Sequence, residues 1–132
     1  MTKHFVCPDG LVRPQAYTPA VSVGAGTTIY VSGQVSQDAN GNLVGEGNLA
    51  AQTEQVYRNL QTALTAAGAS FADVVKINTY VVEYKPEYRD VLNRIRSRYV
   101  AADHPPASTL IGVQALARPG FLVEVEAVAV VE

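Results

Sequence analysis

The sequence is short of most residues that ready-made chemistry uses. It has one cysteine, two histidines, one methionine and no tryptophan among 132 residues. The single thiol, Cys7, excludes an intrachain disulfide and a multi-cysteine metal site, and makes a reducing, cytoplasmic setting the expectation. His4 and His104 have no neighbouring Cys, Ser or Asp in a spacing that reads as a triad. Both read as surface residues. Positive charge is lacking too: ten Lys and Arg against twelve Asp and Glu leave a net charge of −2. A chain that binds nucleic acid by releasing counterions needs a basic face, so no nucleic-acid partner is expected. No apolar run approaches the ~20 residues that span a bilayer. The opening MTKHFVCPDG also lacks the continuous apolar segment of a secretory leader, so no membrane partner is expected. There is no phosphate-binding glycine loop; Gly24 to Gly26 reads as a tight turn. No cofactor and no metal are expected.

What remains is a good core-builder. Apolar residues make up 48% of the chain and charged ones 17%, which fits one folded domain over residues 1–132. The stretch NLAAQTEQVYRNLQTALTAA predicts a helix from Asn48, a natural N-cap, to Ala67, stopped by Gly68. Its Val56, Leu60, Ala63, Leu64 and Ala67 recur near a 3.6-residue period. A second helix is predicted from Pro86, with Tyr88, Val91, Leu92, Ile95 and Tyr99 on one stripe. Arg89, Arg94, Arg96 and Arg98 on this segment read as a solvated face, with a ligand or partner surface as the other possibility. Strands are predicted at Thr27 to Gly33, Val74 to Val82, Ser108 to Gln114 and Leu122 to Val131. DANGN, Asp38 to Asn42, signals a hairpin turn between short strands. The element order is β-β-α-β-α-β-β, an α+β mixed sheet with two helices on one face. The last strand is apolar on one face throughout and on the other in its second half. Two helices cover only one side of such a sheet, so an identical subunit is expected to dry the other.

Few residues suggest chemistry on their own. Glu124 and Glu126 lie ~7 Å apart on one strand face by the strand rise, a glycosidase-like separation. Side by side, however, they do not flank a bond. The segment HPPASTLIGV, His104 to Val113, leads from a stiff Pro-Pro pair into a strand, with Ser108 at its start.

Six separated stretches match a known family in order over almost the whole chain: AYTPAV, YVSGQV, GEGNLAAQTEQVYRNL, AAGASFADVVKINTYVV, PPAST and FLVEVEAVAV. The chain resembles the Rid (YjgF) family of reactive-intermediate deaminases. The resemblance implies a chorismate-mutase-like subunit, a homotrimer, and small-molecule clefts at the subunit interfaces. In the deaminating branch an arginine follows the Pro-Ala of the penultimate strand and forks onto the carboxylate of a 2-imino or 2-enamino acid. Bound water then hydrolyses the imine to a keto acid and ammonia.

Here Pro106 and Ala107 are followed by Ser108 instead. The other positions carry over as Tyr17 and Glu124 in catalytic roles, with Ser32, Gly33, Asn93, Ser108 and Thr109 against the ligand. The usual Cys or Thr two residues after the arginine is Leu110. Losing one partner of a buried charge pair costs roughly 2 to 5 kcal/mol. The implied function is therefore deaminase-type water addition on a ligand other than the usual imino acid, unless Arg13, Arg118 or a second-helix arginine from a neighbouring subunit supplies the charge. The alternative is a non-catalytic small-molecule-binding or chaperone-like trimer. The ribonuclease label that parts of the family carry fits poorly with an acidic chain lacking a histidine pair.

Overall fold

The computed structural model describes residues 2–14 and 16–132. Strands β1 (Lys3–Val6) and β2 (Ala20–Val23) pair with each other antiparallel as a separate ribbon. The main sheet is built from β3 (Thr27–Val35), β4 (Val74–Val82), β5 (Ala107–Val113) and β6 (Val123–Val131) in the order β3-β6-β4-β5. Helices α1 (Leu49–Ala66) and α2 (Tyr88–Arg96) pack against one face of it. Among the described residues, no helix is long and apolar enough to cross a membrane.

Local chemistry sets these boundaries. Asn48 accepts a hydrogen bond from the Ala51 amide at 3.0 Å, capping α1, and Gly68 takes a left-handed φ of 85° beyond its end. Val56, Leu60 and Leu64 follow at i, i+4 and i+8 and are fully buried against the sheet. Gln52 is buried with them, and its amide is fully used. It donates to the carbonyls of Gly45 (3.2 Å) and Gly120 (2.9 Å) and accepts from the Leu122 amide (2.9 Å). One side chain therefore ties α1 to the turn that feeds β6.

The helices cover the face made by Val31, Ile77, Val81, Val123, Val125, Ala127 and Ala129. Alternation sends the intervening residues to the other face. That face carries Tyr30, 80% exposed, and Ile111, 45% exposed, around a polar patch. In the patch the Tyr80 hydroxyl and the Asn78 amide both donate to the Glu126 carboxylate. The Tyr80 phenol is held above its ordinary pKa, chiefly by that hydrogen bond. This is the face predicted to need a second copy. It is uncovered in the single chain.

The structure departs from expectation in four places. The ribbon of β1 and β2 was not predicted. The main sheet has four strands, where the predicted element order gives five. The second helix ends at Arg96, after which Tyr99 and Val100 both donate to the Arg96 carbonyl in a tight turn. The DANGN stretch makes a side-chain-stabilised turn, in which Asp38 accepts from the amides of Asn40 and Asn42, with only one bridge pair, Gln37 and Leu43, beyond it.

Candidate functional site

Strand parity decides where each candidate points. Ser108 pairs with Ile77 and Thr109 with Asn78. Ile77 is core, so Ser108 faces the helices, while Thr109 faces the uncovered side and accepts from Lys76 Nζ at 2.8 Å. Two adjacent strand residues cannot line one pocket wall together. Thr109 is thus separated from Ser108, and it goes with the group on the open face.

A guanidinium meets Ser108. Arg96, on the last turn of α2 of the same chain, donates from Nη1 to Ser108 Oγ at 3.3 Å and from Nη2 to the Ala16 carbonyl at 2.8 Å. The side chain is half-buried, and burial pulls its pKa below the ordinary arginine value. Among the described residues it has no carboxylate partner; the ion pairs there join Glu54 to Arg58 and Arg98. An arginine stays charged in any such setting. A cation short of both water and counter-charge is what an anion site requires.

The other arginines are committed elsewhere or distant. Arg118 donates to Gln37 and the Gly41 carbonyl and lies over the Phe121 ring at 4.8 Å. Arg13 lines an outer cavity of about 280 Å³ with Tyr17, Cys7, Phe5 and His104. There the His104 imidazole stacks on Phe5, 4.7 Å between centroids. Tyr17 is 38% exposed and opens to this outer cavity. Its neighbour Ala16 carries the carbonyl that Arg96 holds. Thr18 fixes the same segment, its amide donating to the Pro106 carbonyl at 3.1 Å and its hydroxyl to that of Pro105.

Two spaces adjoin Arg96. One, of about 40 Å³, lies towards Ser108, Thr79 and Tyr57. The other, of about 150 Å³, lies between α2 and the segment 101–105, with Asn93 at its polar end. Tyr57 cannot neutralise the guanidinium at neutral pH, because burial pushes its hydroxyl up to about 12. This has a stability consequence. The stability this burial contributes is fully present below pH ~10 and is lost as pH rises through ~12, a loss of roughly 3 kcal/mol. Tyr57→Phe is expected to flatten that alkaline fall in denaturant unfolding free energy; an unchanged slope between pH 9 and 12 would contradict the assignment.

Ser32, Gly33 and Glu124 form a second group. The register of β3 against β6 slips between Val31 and Gln34, a bulge that leaves Ser32 and Gly33 outside the ladder. Glu124 fills the room left by the glycine: a Cβ on Gly33 would stand 1.9 Å from Glu124 Oε2. Glu124 pairs across β4 with Tyr80 and shares the open face with Glu126. Counting strands and rise, Glu124 lies ~14 Å from Ser108, with the sheet between them. One chain therefore brings Arg96, Ser108 and Asn93 together on one side, and Ser32, Gly33 and Glu124 together on the other. It does not unite the two groups.

Arg96 is the residue the motif match did not supply. Its signal was spacing: it falls four residues after the buried Leu92 and three before Tyr99, at the border of the apolar stripe and not opposite it.

The family profile described as Endoribonuclease L-PSP matches residues 11–131. The chain belongs to the YjgF/Rid family. The Rid-family protein YyfB of unknown function from Yersinia pestis is 41% identical, with a TM-score of 0.91 covering 99% of this chain and 100% of that one. The 3-aminoacrylate deaminase RutC of Acinetobacter baylyi is 32% identical over 130 residues, 98% of each chain. A human 2-iminobutanoate/2-iminopropanoate deaminase is 32% identical over 121 residues, covering 92% of this chain and 82% of that protein. The α+β Rid fold expected from the sequence is the one observed.

Proposed function

We propose that this Rid-family chain hydrolyses small imino or enamino carboxylates in clefts between copies of a homotrimer, with Arg96 replacing the arginine that Ser108 displaces. The observation that carries the reading is the half-buried Arg96 guanidinium, without a carboxylate partner among the described residues and hydrogen-bonded to Ser108. The charge, for which Arg13, Arg118 and a neighbouring subunit's second-helix arginine were the candidates, comes instead from α2 of the same chain, so the ligand keeps its anionic group and is gripped from a new direction. Planar guanidinium donors suit a carboxylate, since two parallel charge-assisted bonds orient it.

In the proposed step, Glu124 of an adjoining copy takes a proton from water as the oxygen adds to the imine carbon. That proton passes to nitrogen, giving a carbinolamine; the hydroxyl proton then follows to nitrogen as the C=O forms and the C–N bond breaks, so ammonia and the keto acid leave. Gly33, Ser32 and Thr109 of the adjoining copy, on the same open face as its Glu124, border the reacting carbon, while Tyr17 closes the cleft from the outer side and Asn93 completes the polar contacts beside Arg96. The deaminase names of two relatives support the class of reaction. The net acidic charge counts against a nuclease.

The test is ammonia release from short 2-imino acids generated in situ. The purified chain is expected to accelerate it; binding of a carboxylate without acceleration would leave a binding module instead. Ser108→Arg follows from the same geometry. It sets a second cation beside Arg96, so the unliganded fold is expected to lose stability from like-charge repulsion, and an anion that relieves the repulsion is expected to bind more tightly, roughly tenfold for ~1.4 kcal/mol. Unchanged or weaker carboxylate binding would show that the anion does not sit beside Arg96.

A further inference from the structure

The smaller space beside Arg96, about 40 Å³, collects polar hydrogens from four elements. Tyr57 reaches it from α1, Thr79 from β4 and Ser108 from β5, while Asn93 and Arg96 border it from α2. Tyr57 is only 3% exposed, yet its hydroxyl bonds to no other described residue. A buried phenol ordinarily finds a partner, since an O–H taken out of water without replacement is costly. The hydroxyl of Thr79 and the side-chain amide of Asn93 likewise bond to no described residue. Ser108 accepts from Arg96 at 3.3 Å and donates to none. Arg96's charge is felt at the Tyr57 hydroxyl, partly offsetting the upward pull of burial on its pKa, so the phenol end of the ring lies on the guanidinium side.

This set of groups is one-sided. Thr53 has already spent its hydroxyl on the Leu49 carbonyl at 2.8 Å, and the rest of the wall is Leu92, Leu110 and Val125. No carboxylate lines the space. Hydroxyls can turn to donate or accept, but a guanidinium only donates. Water would meet some of these donors and leave the positive charge unbalanced. A monovalent halide accepts from several donors at once and cancels the one charge. A divalent oxyanion would press its second charge against aliphatic side chains that cannot pair it. Fluoride, the most strongly hydrated halide, would lose the most on entering.

We propose that the space bordered by Tyr57, Thr79, Ser108 and Arg96 is a site for chloride or bromide, and that a halide held there draws the Arg96 charge away from the ligand. The second clause rests on Arg96 as the ligand's anchor; the first does not. The halide takes charge from the grip without occupying the place of the reacting carbon. It therefore raises KM and leaves kcat.

The test begins with crystals of the full chain grown in sodium bromide, where an anomalous peak is expected within hydrogen-bond reach of Tyr57 Oη, Ser108 Oγ and Arg96. In solution, the chlorine NMR line is expected to broaden saturably with the chain, and bromide, but not fluoride at equal ionic strength, to reverse it. Tyr57→Phe removes only the hydroxyl and is expected to weaken halide binding about tenfold, the loss of one hydrogen bond to a charged group. Thr79→Val serves if that variant does not fold. KM for a short 2-imino acid is expected to rise several-fold in bromide and to stay level in fluoride, with kcat unchanged. No bromide peak beside Tyr57, or broadening equal in Tyr57→Phe and the parent, would overturn the site and leave water as its occupant. A peak without saturable broadening marks binding at crystal concentration only and overturns it as well. Bromide bound by a chain inert towards imino acids upholds the site and rejects the deaminase reading. Turnover whose KM ignores bound bromide overturns the shared use of Arg96.

Discussion

Replacing Arg96 with glutamine is expected to lower kcat/KM for a short 2-imino acid by roughly 30-fold to a few thousand-fold, the range that 2 to 5 kcal/mol spans for a truncated buried charge pair. Glutamine is shorter than arginine, so the charge is lost together with the hydrogen bonds to Ser108 Oγ and the Ala16 carbonyl. Stability is expected to change little, because the lost hydrogen bonds are offset by removal of a half-buried cation that has no carboxylate partner among the described residues. Arg96→Lys should recover only part of the activity, since an ammonium is a point charge that cannot fork. Steady-state kinetics with thermal unfolding of the same samples separates the two effects. Full activity in Arg96→Gln would remove the anchor from the account.

The second large effect is expected at the Gly33 and Glu124 pair. Glu124→Gln should cost on the order of 100-fold in kcat, the lower end of what positioned acid–base groups contribute. Gly33→Ala should do nearly the same without touching an ionisable group. Its new methyl would occupy the position of Glu124 Oε2, with the Cδ and Cγ atoms at 2.7 and 2.9 Å, so the carboxylate must swing aside. The backbone of Gly33 is not left-handed, and alanine is therefore tolerated there. Because both changes act through one carboxylate, the double variant is expected to be no worse than either alone. Independent, multiplying losses would show that Gly33 acts by some route other than Glu124.

Much of the fold was legible because local and global signals agree. Asn48 and Gly68 bracket α1 to within a residue, and the β-branched run at 74–82 is β4 as observed. The ribbon was not legible for the opposite reason. KHFV and AVSV are four-residue strands that pair across a wide separation in sequence, Lys3 with Val23, and neither carries enough pattern to stand out. In the site, motif matching gave Tyr17, Ser32, Gly33, Asn93, Ser108, Thr109 and Glu124 as one set, with no sign of which share a face. The β3 bulge brings Gly33 against Glu124, and a strand's period of two turns Ser108 and Thr109 to opposite faces of one chain. By sequence, Arg96 read with three other arginines as a solvated face, because composition weighs charge and ignores the side of the helix on which each charge sits. The spacing from Leu92 and Tyr99 hints at its side of the helix, and the contacts with Ser108 and the Ala16 carbonyl set it apart from Arg89, Arg94 and Arg98.

The division of the site between copies is best tested by mixing two inactive variants. Arg96→Gln and Glu124→Gln are unfolded together, refolded in equal amounts and assayed against each refolded alone. If the grip comes from one chain and the carboxylate from the next, random head-to-tail pairing restores roughly a quarter of the sites. Activity near that fraction of the unsubstituted protein's is the predicted result. Mixtures no more active than the separate variants, though both assemble, would contradict a site shared between chains.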